Sequence, residues 1–193
     1  MSAATDPCLT INGNGIAFRE FSCVYPTLGS TYFQFEKEYD AVPVIDWMSR
    51  QPLVPIAACV MYVVLIVAGQ AYFETRPRWH WNKIMACWNL ALSLFSAMGM
   101  LRTAPNLLHN LATLSIRDNL CGDPQVNYGS GSTGLWVQMF ILSKFPELID
   151  TFFIVIHKKK LIFLHWYHHV TVLLYCWHSY VTKSPPGIFF VVM

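Results

Sequence analysis

The chain has 193 residues, of which 54% are hydrophobic and 12% are charged, and its formal net charge at pH 7 is +2. Soluble domains average roughly 45 to 50% apolar and about 25% charged residues, so the composition excludes an ordinary soluble domain and favours a membrane protein. The basic residues lie in short loops beside apolar runs, without a basic stripe or a nucleic-acid motif, which indicates no nucleic-acid partner.

The N-terminal stretch predicts little regular structure. Residues 1–30 are rich in Gly, Ser, Thr and Asn and show no sustained hydrophobic period, so residues 1–34 are interpreted as a flexible tail. They lack the basic start and apolar core of a secretory signal peptide. The six cysteines show neither a disulfide framework nor a zinc-ligand spacing. Aromatic and charged residues then alternate up to residue 52, which predicts a short interfacial segment.

Four apolar stretches follow, each close to the roughly 20 residues that a bilayer requires. The predicted spans are residues 53–73, 84–108, 135–156 and 161–181. Loops 74–83 and 157–160 are rich in Lys and Arg, whereas Arg117 is the single Lys or Arg in loop 109–134. The positive-inside rule therefore places the two basic loops in the cytosol and the N-terminus in the lumen. Arg102 is interpreted as a snorkelling or ion-paired residue at a helix end, rather than as a ligand contact.

After Pro186 a further apolar segment runs for seven residues. Seven residues cannot span a bilayer, so we expect either a fragment or truncated isoform, or a tail that docks at the interface. The predicted fold class is all-α: a polytopic transmembrane helix bundle with four complete spans and the start of a fifth.

The third and fourth predicted spans form a hairpin that carries ionisable side chains. At about 100° per residue, one face of each helix collects them; they are Lys144, Glu147, Asp150 and Thr151 on the third span and His165, His168 and His169 on the fourth. Inserting a charged side chain near the centre of a membrane helix costs about 2.5 to 3.5 kcal/mol. A hairpin that carries several of them therefore indicates a functional site. The alternative is structural: Lys144 would neutralise the carboxylates while the histidines hydrogen-bond across the bundle.

Two motifs in this hairpin resemble those of the membrane fatty-acyl elongases of the endoplasmic reticulum. The motif Lys-x-x-Glu-x-x-Asp-Thr runs from Lys144 to Thr151, and His-x-x-His-His runs from His165 to His169. The sequence around the motifs, with Trp166 between the histidines and Pro146 before Glu147, resembles the branch of the family that extends saturated and monounsaturated acyl chains. The resemblance covers residues 35–193, interpreted as the N-terminal part of the elongase transmembrane domain. Since the family has seven spans, we expect a C-terminally truncated chain and no activity from this form.

The resemblance implies a very-long-chain 3-oxoacyl-CoA synthase, an acyltransferase that joins malonyl-CoA to a long-chain acyl-CoA and releases CO2 and CoA. It implies no cofactor beyond these substrates and a multi-pass protein of the endoplasmic reticulum membrane. The expected partners are the lipid bilayer and the reductase, dehydratase and enoyl reductase of the elongation cycle.

The expected roles follow from imidazole chemistry and from the resemblance. His168, in the middle of the predicted buried stripe, is the expected nucleophile or base, and His165 and His169 would orient it or donate to the thioester oxygen. Asp150 or Glu147 would orient a facing imidazole, and Lys144 would balance that charge. The groups expected to bind the CoA phosphates are Lys158, Lys159, Lys160, Arg76 and Arg78.

Two other functions remain open from the residues alone. A membrane di-iron desaturase or hydroxylase also uses His-x-x-His-His, but it needs several histidine boxes. The remaining histidines are scattered singly, at His80, His109, His157 and His178. The other alternative is a pH-sensing or transport bundle built around buried histidines.

Overall fold

The computed structural model describes residues 6–192. The described chain is mostly helical and divides into two compact units. The first contains residues up to 50 together with 97–140 and the residues from 179 onward, and the second contains 51–96 and 141–178. Three long elements pass from one unit into the other, so each unit is built from segments that are distant in sequence.

The helices follow the predicted order, with additional short elements near the N-terminus and in the loops. The strands are β1 (Leu9–Ile11) and β2 (Ala17–Arg19), which pair antiparallel with Thr10 opposite Phe18. In chain order the helices are α1 (Phe21–Val24), α2 (Pro26–Gly29), α3 (Gln34–Lys37), α4 (Val42–Arg50), α5 (Leu53–Glu74), α6 (Asn82–Thr113), α7 (Ile116–Cys121), α8 (Pro124–Asn127), α9 (Gly131–Ser143), a 3-10 turn (Pro146–Leu148), α10 (Ile149–Ile156), α11 (Phe163–Val181) and α12 (Gly187–Val192).

A disulfide joins Cys8 to Cys23 across the β1–β2 hairpin, with Cα atoms 5.5 Å apart, so the prediction of no disulfide is wrong for this pair. That separation is ordinary for a disulfide. The hairpin turn itself brings the two cysteines together, because it returns the chain within fifteen residues. The sequence predicted no elements in this segment, and their short length explains the missing periodic signal. The assignment of residues 1–34 as a separate tail stays a prediction, and residues 1–5 of it lie outside the described residues.

Two buried carboxylates attach the N-terminal segment to the rest of the first unit. Glu20 is 7% exposed and accepts hydrogen bonds from the backbone N–H and the hydroxyl of Ser132, at the start of α9. A carboxylate at a helix N-terminus is favoured because the first N–H groups there have no partner inside the helix. Glu36, on α3, is fully buried and pairs with Arg102 of α6.

Helix α12 packs within the first unit against a small apolar cluster. The buried members of this cluster are Leu107, Tyr128, Val137 and Ile188. The Tyr128 hydroxyl donates to the carbonyl oxygen of Ser184 at 2.9 Å, just before α12. The apolar segment that begins at residue 187 is therefore helical and packed over residues 187–192.

Among the described residues, α5 and α6 are the two helices long and apolar enough to cross a membrane. They match the first and second predicted spans, which are confirmed as continuous helices. Their large apolar side chains are widely exposed, as Leu65 is at 62% and Leu94 at 63%. A lipid environment would cover such surfaces without cost. The prediction of exactly four spans has no such support and stays a prediction.

The third predicted span is not one helix. Helix α9 ends at Ser143, a 3-10 turn covers Pro146–Leu148, and α10 begins at Ile149. Pro146 has no N–H and its ring clashes with the carbonyl four residues earlier, which ends a regular helix. The backbone N–H groups of Lys144 and Phe145 bond instead to the oxygens of Ile141 and Leu142, three residues back.

In the second unit α10 lies against α5. Their apolar contact centres on Phe73, Phe153, Val155 and Ile156. Gly69 permits the close approach, because a Cβ there would lie 3.1 Å from Cγ1 of Val155. Packing against α5 therefore fixes which face of α10 points toward α11.

Candidate active site

The histidine motif forms a continuous cluster on the first half of α11. His165 and His169 are four residues apart and share one helix face, with ring centroids separated by 4.7 Å. The ring of His168 is 5.9 Å from that of His169. The His-x-x-His-His spacing therefore brings all three imidazoles together, as the sequence predicted.

The histidine cluster contacts the Lys-x-x-Glu-x-x-Asp-Thr motif through Thr151. Thr151 Oγ1 lies 3.0 Å from His165 Nε2 and 2.6 Å from the hydroxyl of Tyr62, on α5. Thr151 is 1% exposed and Tyr62 is 5% exposed. The expectation that the two motifs face each other is confirmed, although the contact is made by a hydroxyl rather than by a carboxylate.

Asp150 has a different partner from the one expected. Its Oδ1 accepts a hydrogen bond from Nε1 of Trp88, on α6, at 2.6 Å. Asp150 also lines a cavity of about 200 Å³ together with His165 and Lys159. A carboxylate, an imidazole and an ammonium thus border one small space, in which a polar group of a ligand would meet both charges and a ring nitrogen.

Lys144 and Glu147 form an ion pair at the helix break. Lys144 Nζ lies 2.7 Å from Glu147 Oε1 and 3.0 Å from Oε2, and the hydroxyl of Ser143 donates to the same carboxylate. The ion pair between Lys144 and Glu147 is expected by both the functional and the structural interpretation of the sequence, and its role in a reaction stays a prediction. Glu147 is therefore occupied locally, and Asp150 is the motif carboxylate that borders the cavity beside His165.

His168 does not lie in a buried stripe, so the prediction that it is buried is wrong. Its side chain is exposed, whereas His165 and His169 are partly buried. His168 is one residue, about 100° of helix rotation, from His169, and α10 and Tyr62 cover the His165–His169 face. A substrate would therefore reach His168 more easily than it would reach its two neighbours.

The basic residues assigned to CoA are placed at the two loops of the second unit, and one of them has structural partners. Lys158 has φ 53°, and the amides of Lys158 and Lys159 bond back to Val155 and Ile154 oxygens, which is the Schellman pattern at the end of α10. The Lys158 ammonium donates to the carbonyl oxygens of Glu74 and Arg76, so it closes the end of α5.

The other basic residues are exposed. Arg76 lies over the ring of Tyr72 at 4.3 Å, and Arg78 Nε donates to Nε2 of His80 at 3.2 Å. Lys159 and Lys160 are exposed in the turn before α11. All five predicted phosphate-binding groups, Lys158 included, are thus exposed, where an incoming anion would meet their charge.

An apolar cavity of about 680 Å³ lies between α5 and the 3-10 turn and α10. Its wall is chiefly aliphatic and aromatic, and it includes Tyr62 and Thr151. Volumes of about 300 to 1,000 Å³, with apolar walls and few polar groups, are typical of small-molecule sites. The hydroxyl pair therefore lies at the wall of a space suited to an apolar chain.

Two residues of the site were missed by the sequence analysis. Tyr62 and Trp88 lie within apolar runs, where tyrosine and tryptophan are ordinary in membrane helices. A buried hydroxyl or indole N–H needs a hydrogen-bond partner, which is the one signal that could have pointed to them. Within residues 6–192 no group of three or more His, Cys, Asp or Glu side chains is placed to hold a metal ion.

Comparison with known proteins identifies the family of this chain. The family model described as ELO, the GNS1/SUR4 family, matches residues 47–193, which include both motifs. The chain belongs to the GNS1/SUR4 family. It is 38% identical over 161 residues to "Very long chain fatty acid elongase 6" of Gallus gallus, covering 83% of this chain and 60% of that protein.

Other relatives of this GNS1/SUR4 chain carry similar names. "Very long chain fatty acid elongase 6" of Homo sapiens is 37% identical over 83% of the chain and 60% of that protein. "Fatty acid elongase 3" of Trypanosoma brucei brucei is 34% identical, covering 86% of the chain and 62% of its own length. The chain thus spans about three fifths of the length of these relatives. No solved structure matches it.

Proposed function

We propose that the protein is the condensing enzyme of fatty acid elongation, joining malonyl-CoA to a long-chain acyl-CoA to give 3-oxoacyl-CoA, CO2 and CoA. The observation that carries the proposal is the 3.0 Å contact between Thr151 Oγ1 and His165 Nε2, which joins the two motifs in one site. The names of the relatives, which are fatty acid elongases, support the same reaction class. The family match does not favour the di-iron desaturase alternative.

Condensation forms one carbon–carbon bond and breaks two bonds. The acyl thioester loses CoA as a thiolate, which takes up a proton, and the malonyl group loses its carboxylate as CO2. The electron pair left by CO2 forms the new bond to the acyl carbonyl carbon. The site must therefore bind an acyl group, supply a nucleophile or base, and stabilise negative charge on the thioester oxygens.

Each side chain has a role that its surroundings support. His168, exposed beside His169, acts as the nucleophile or base toward the thioester. His165 and His169 orient the substrate or donate to its carbonyl oxygen. Asp150, beside Lys159 and His165, stabilises an imidazolium that forms nearby, and Lys144 keeps Glu147 neutralised.

The substrates would bind through charge at one end and apolar contact at the other. Arg76, Arg78, Lys159 and Lys160 are exposed and would meet the CoA phosphates. Lys158 would contribute long-range attraction, because its ammonium also holds the end of α5. The apolar cavity beside Thr151 offers the acyl chain a place away from water.

We further propose a multi-pass location in the endoplasmic reticulum membrane, with the basic loops toward the cytosol where acyl-CoA is present. The product, a 3-oxoacyl-CoA, requires a ketoreductase, a dehydratase and an enoyl reductase to complete a cycle. No cofactor is needed for the condensation itself, since CO2 release drives the new carbon–carbon bond.

The test compares two histidines of the same helix. In microsomes that contain the full-length protein, His168→Ala should abolish the incorporation of labelled malonyl groups into 3-oxoacyl product. His178→Ala, ten residues further along α11, should retain most of the rate. Equal loss from both substitutions would remove the assigned site, and two bound irons per chain would replace the proposal with the desaturase alternative.

A further inference from the structure

Three side chains from three helices are joined in a row beside the proposed catalytic histidines. The hydroxyl of Tyr62, on α5, lies 2.6 Å from Thr151 Oγ1, on α10. Thr151 Oγ1 in turn lies 3.0 Å from Nε2 of His165, on α11. Tyr62 and Thr151 are both buried, so water does not compete strongly for these hydrogen bonds.

The number of protons in this row restricts how it can be arranged. A neutral imidazole carries one N–H, and each hydroxyl carries one O–H. When His165 Nε2 accepts, Thr151 donates to it and Tyr62 donates to Thr151, so both buried hydroxyl protons have acceptors. The imidazole proton then lies on Nδ1 of His165, a half-buried residue that borders the small cavity. When Nε2 carries the proton instead, Thr151 accepts it, and only one of the two hydroxyls can donate to the other.

The second arrangement leaves one proton without an acceptor. Among residues 6–192, Thr151 is the one hydrogen-bond partner recorded for the Tyr62 hydroxyl. A buried O–H without an acceptor is disfavoured by a factor of about ten or more in population. The row therefore selects the neutral form of His165 in which Nδ1 carries the proton and Nε2 accepts.

We propose that Thr151, with its hydroxyl oriented by Tyr62, is a positioning residue that holds His165 as the Nδ1–H tautomer, leaving its Nδ1–H to donate to the thioester carbonyl. This inference rests on the proposed condensing function for the meaning of that donor, but not for the tautomer itself. It separates the roles of the histidines: His165 Nε2 is occupied by Thr151 and cannot attack a thioester, whereas His168 is exposed and can.

The phenol ring of Tyr62 has a second contact that helps to isolate its hydroxyl. The ring lies 6.2 Å from that of His169, at an interplanar angle of 63°. Tyr62→Phe keeps this edge contact and the packing of the ring in α5, and removes only the O–H. Thr151→Val likewise keeps the shape of the side chain and removes its hydroxyl, whereas Thr151→Ser keeps the hydroxyl.

The first experiment reads the tautomer directly and needs no activity. The 193-residue chain is labelled with 15N in its histidine rings, placed in lipid nanodiscs, and the His165 signals are assigned by their loss in His165→Gln. At a pH where the ring is neutral, Nδ1 of His165 should carry the proton. Thr151→Val should give a mixture of both tautomers, whereas Tyr62→Phe should keep Nδ1–H because Thr151 still donates to Nε2. A wild-type His165 protonated on Nε2, or no change in Thr151→Val, would overturn the inference.

The second experiment measures the kinetic consequence in the protein as its gene encodes it. Thr151→Val should lower kcat in proportion to the fraction of His165 that loses its Nδ1 proton, with little change in KM for acyl-CoA. Thr151→Ser should restore most of kcat, Tyr62→Phe should cost less than Thr151→Val, and the Tyr62→Phe/Thr151→Val pair should fall no further than Thr151→Val.

The matched control is Tyr167→Phe, on the exposed side of α11, where the ring stacks on Phe163 at 5.1 Å. It should leave kcat unchanged. Additive losses in the double variant, or an equal loss in Tyr167→Phe, would show that Tyr62 does not act through Thr151. A wild-type protein that makes no 3-oxoacyl product would refute the proposed function instead, and the NMR measurement would still decide the tautomer.

Discussion

The guanidinium of Arg102 lies 3.1 Å from the carboxylate of Glu36, with side chains only 8% and 0% exposed. The same carboxylate oxygen accepts from Nε1 of Trp136 at 2.6 Å, and the guanidinium lies 4.1 Å over the ring of Tyr32. The interpretation of Arg102 as an ion-paired residue is confirmed, but its predicted place at a helix end is wrong, because α6 continues for about three turns to Thr113. Helix α6 therefore anchors α3 through one buried pair inside the first unit.

Removing one partner of this pair should destabilise the first unit strongly. Glu36→Gln or Arg102→Met leaves a buried charge unpaired, and such changes typically cost about 3 to 5 kcal/mol. We expect a clearly lower Tm for either single variant in detergent, followed by tryptophan fluorescence. The double variant Glu36→Leu/Arg102→Met should recover much of the loss, because no charge is left buried.

The control for this prediction is an exposed pair in the same unit. Arg19 and Asp6 are 2.7 Å apart, but their side chains are 70% and 33% exposed. Exposed pairs contribute about 0 to 1 kcal/mol, so Arg19→Gln should change Tm little. A similar drop in Arg19→Gln and in Glu36→Gln would contradict the assignment of the buried pair as an anchor.

The disulfide between Cys8 and Cys23 should be detectable by counting thiols. Four of the six cysteines, Cys59, Cys87, Cys121 and Cys176, are free. The denatured chain should therefore react with four maleimide groups before reduction and with six after it. Closing a loop of about fifteen residues stabilises by about 3 kcal/mol, so Cys8→Ser should lower Tm. Six reactive thiols without reductant would contradict the pairing.

The same disulfide makes a prediction about topology. Disulfides persist in oxidising compartments, and the positive-inside rule independently places the N-terminus opposite the basic loops. Protease-accessible tags at residue 5 and in the 157–160 turn should give opposite protection in sealed microsomes. Equal protection of the two tags would contradict both arguments and the four-span prediction.

Alkaline pH should destabilise the first unit through Tyr39. Burial, and next the Asp40 carboxylate, raise the pKa of Tyr39 from 10.0 to about 12. In the unfolded chain the phenol loses its proton near its ordinary value, so stability is fully present below pH 10 and is lost as the pH rises from 10 toward 12. Tyr39→Phe should lose less stability than wild type between pH 8 and 10.5, measured by Tm.

Tyr25→Phe is the control for this pH dependence. The Tyr25 side chain is 38% exposed and its hydroxyl lies 2.8 Å from Nδ1 of His109. Because it is much less buried, its removal should leave the difference between pH 8 and 10.5 unchanged. An alkaline loss in Tyr39→Phe equal to that of wild type would show that Tyr39 does not couple to folding.

The length of the apolar segments and the helical spacing of the motif residues predicted the long helices and the histidine cluster. Helices α5 and α6 follow their apolar runs within a few residues, and the three motif histidines cluster because their spacing matches a helical turn. The facing of the two motifs followed from the short basic turn. These features need only helix geometry and the length of an apolar segment.

The parts that the sequence did not predict depend on single contacts. The apolar sequences around Trp88 and Tyr62 did not indicate that Trp88 forms a hydrogen bond with Asp150. They also did not indicate the hydrogen bond between Tyr62 and Thr151. The sequence analysis placed the motif residues on one face by assuming a continuous helix of about 100° per residue. At Pro146 the chain instead forms a 3-10 turn, which rotates by about 120° per residue. Lys144 and Glu147 pair with each other at this break, whereas Asp150 and Thr151 lie on α10.

If the predicted third and fourth spans enter a bilayer, the break at Pro146 affects how they do so during synthesis. Helix α9 has 13 residues and α10 has 8, so they extend about 20 Å and 12 Å, and neither reaches the roughly 30 Å of a hydrocarbon core. The apolar sequence is interrupted between α9 and α10 by Lys144, Pro146 and Glu147. Two charges and a proline there lower the hydrophobicity by which a segment is recognised for membrane insertion. Helix α11 emerges next and contacts α10 through His165 and Thr151. The hydrogen bond that joins the two motifs would therefore also favour joint insertion of α10 and α11, so that the proposed site and the assembly of this hairpin in a membrane would depend on the same two residues.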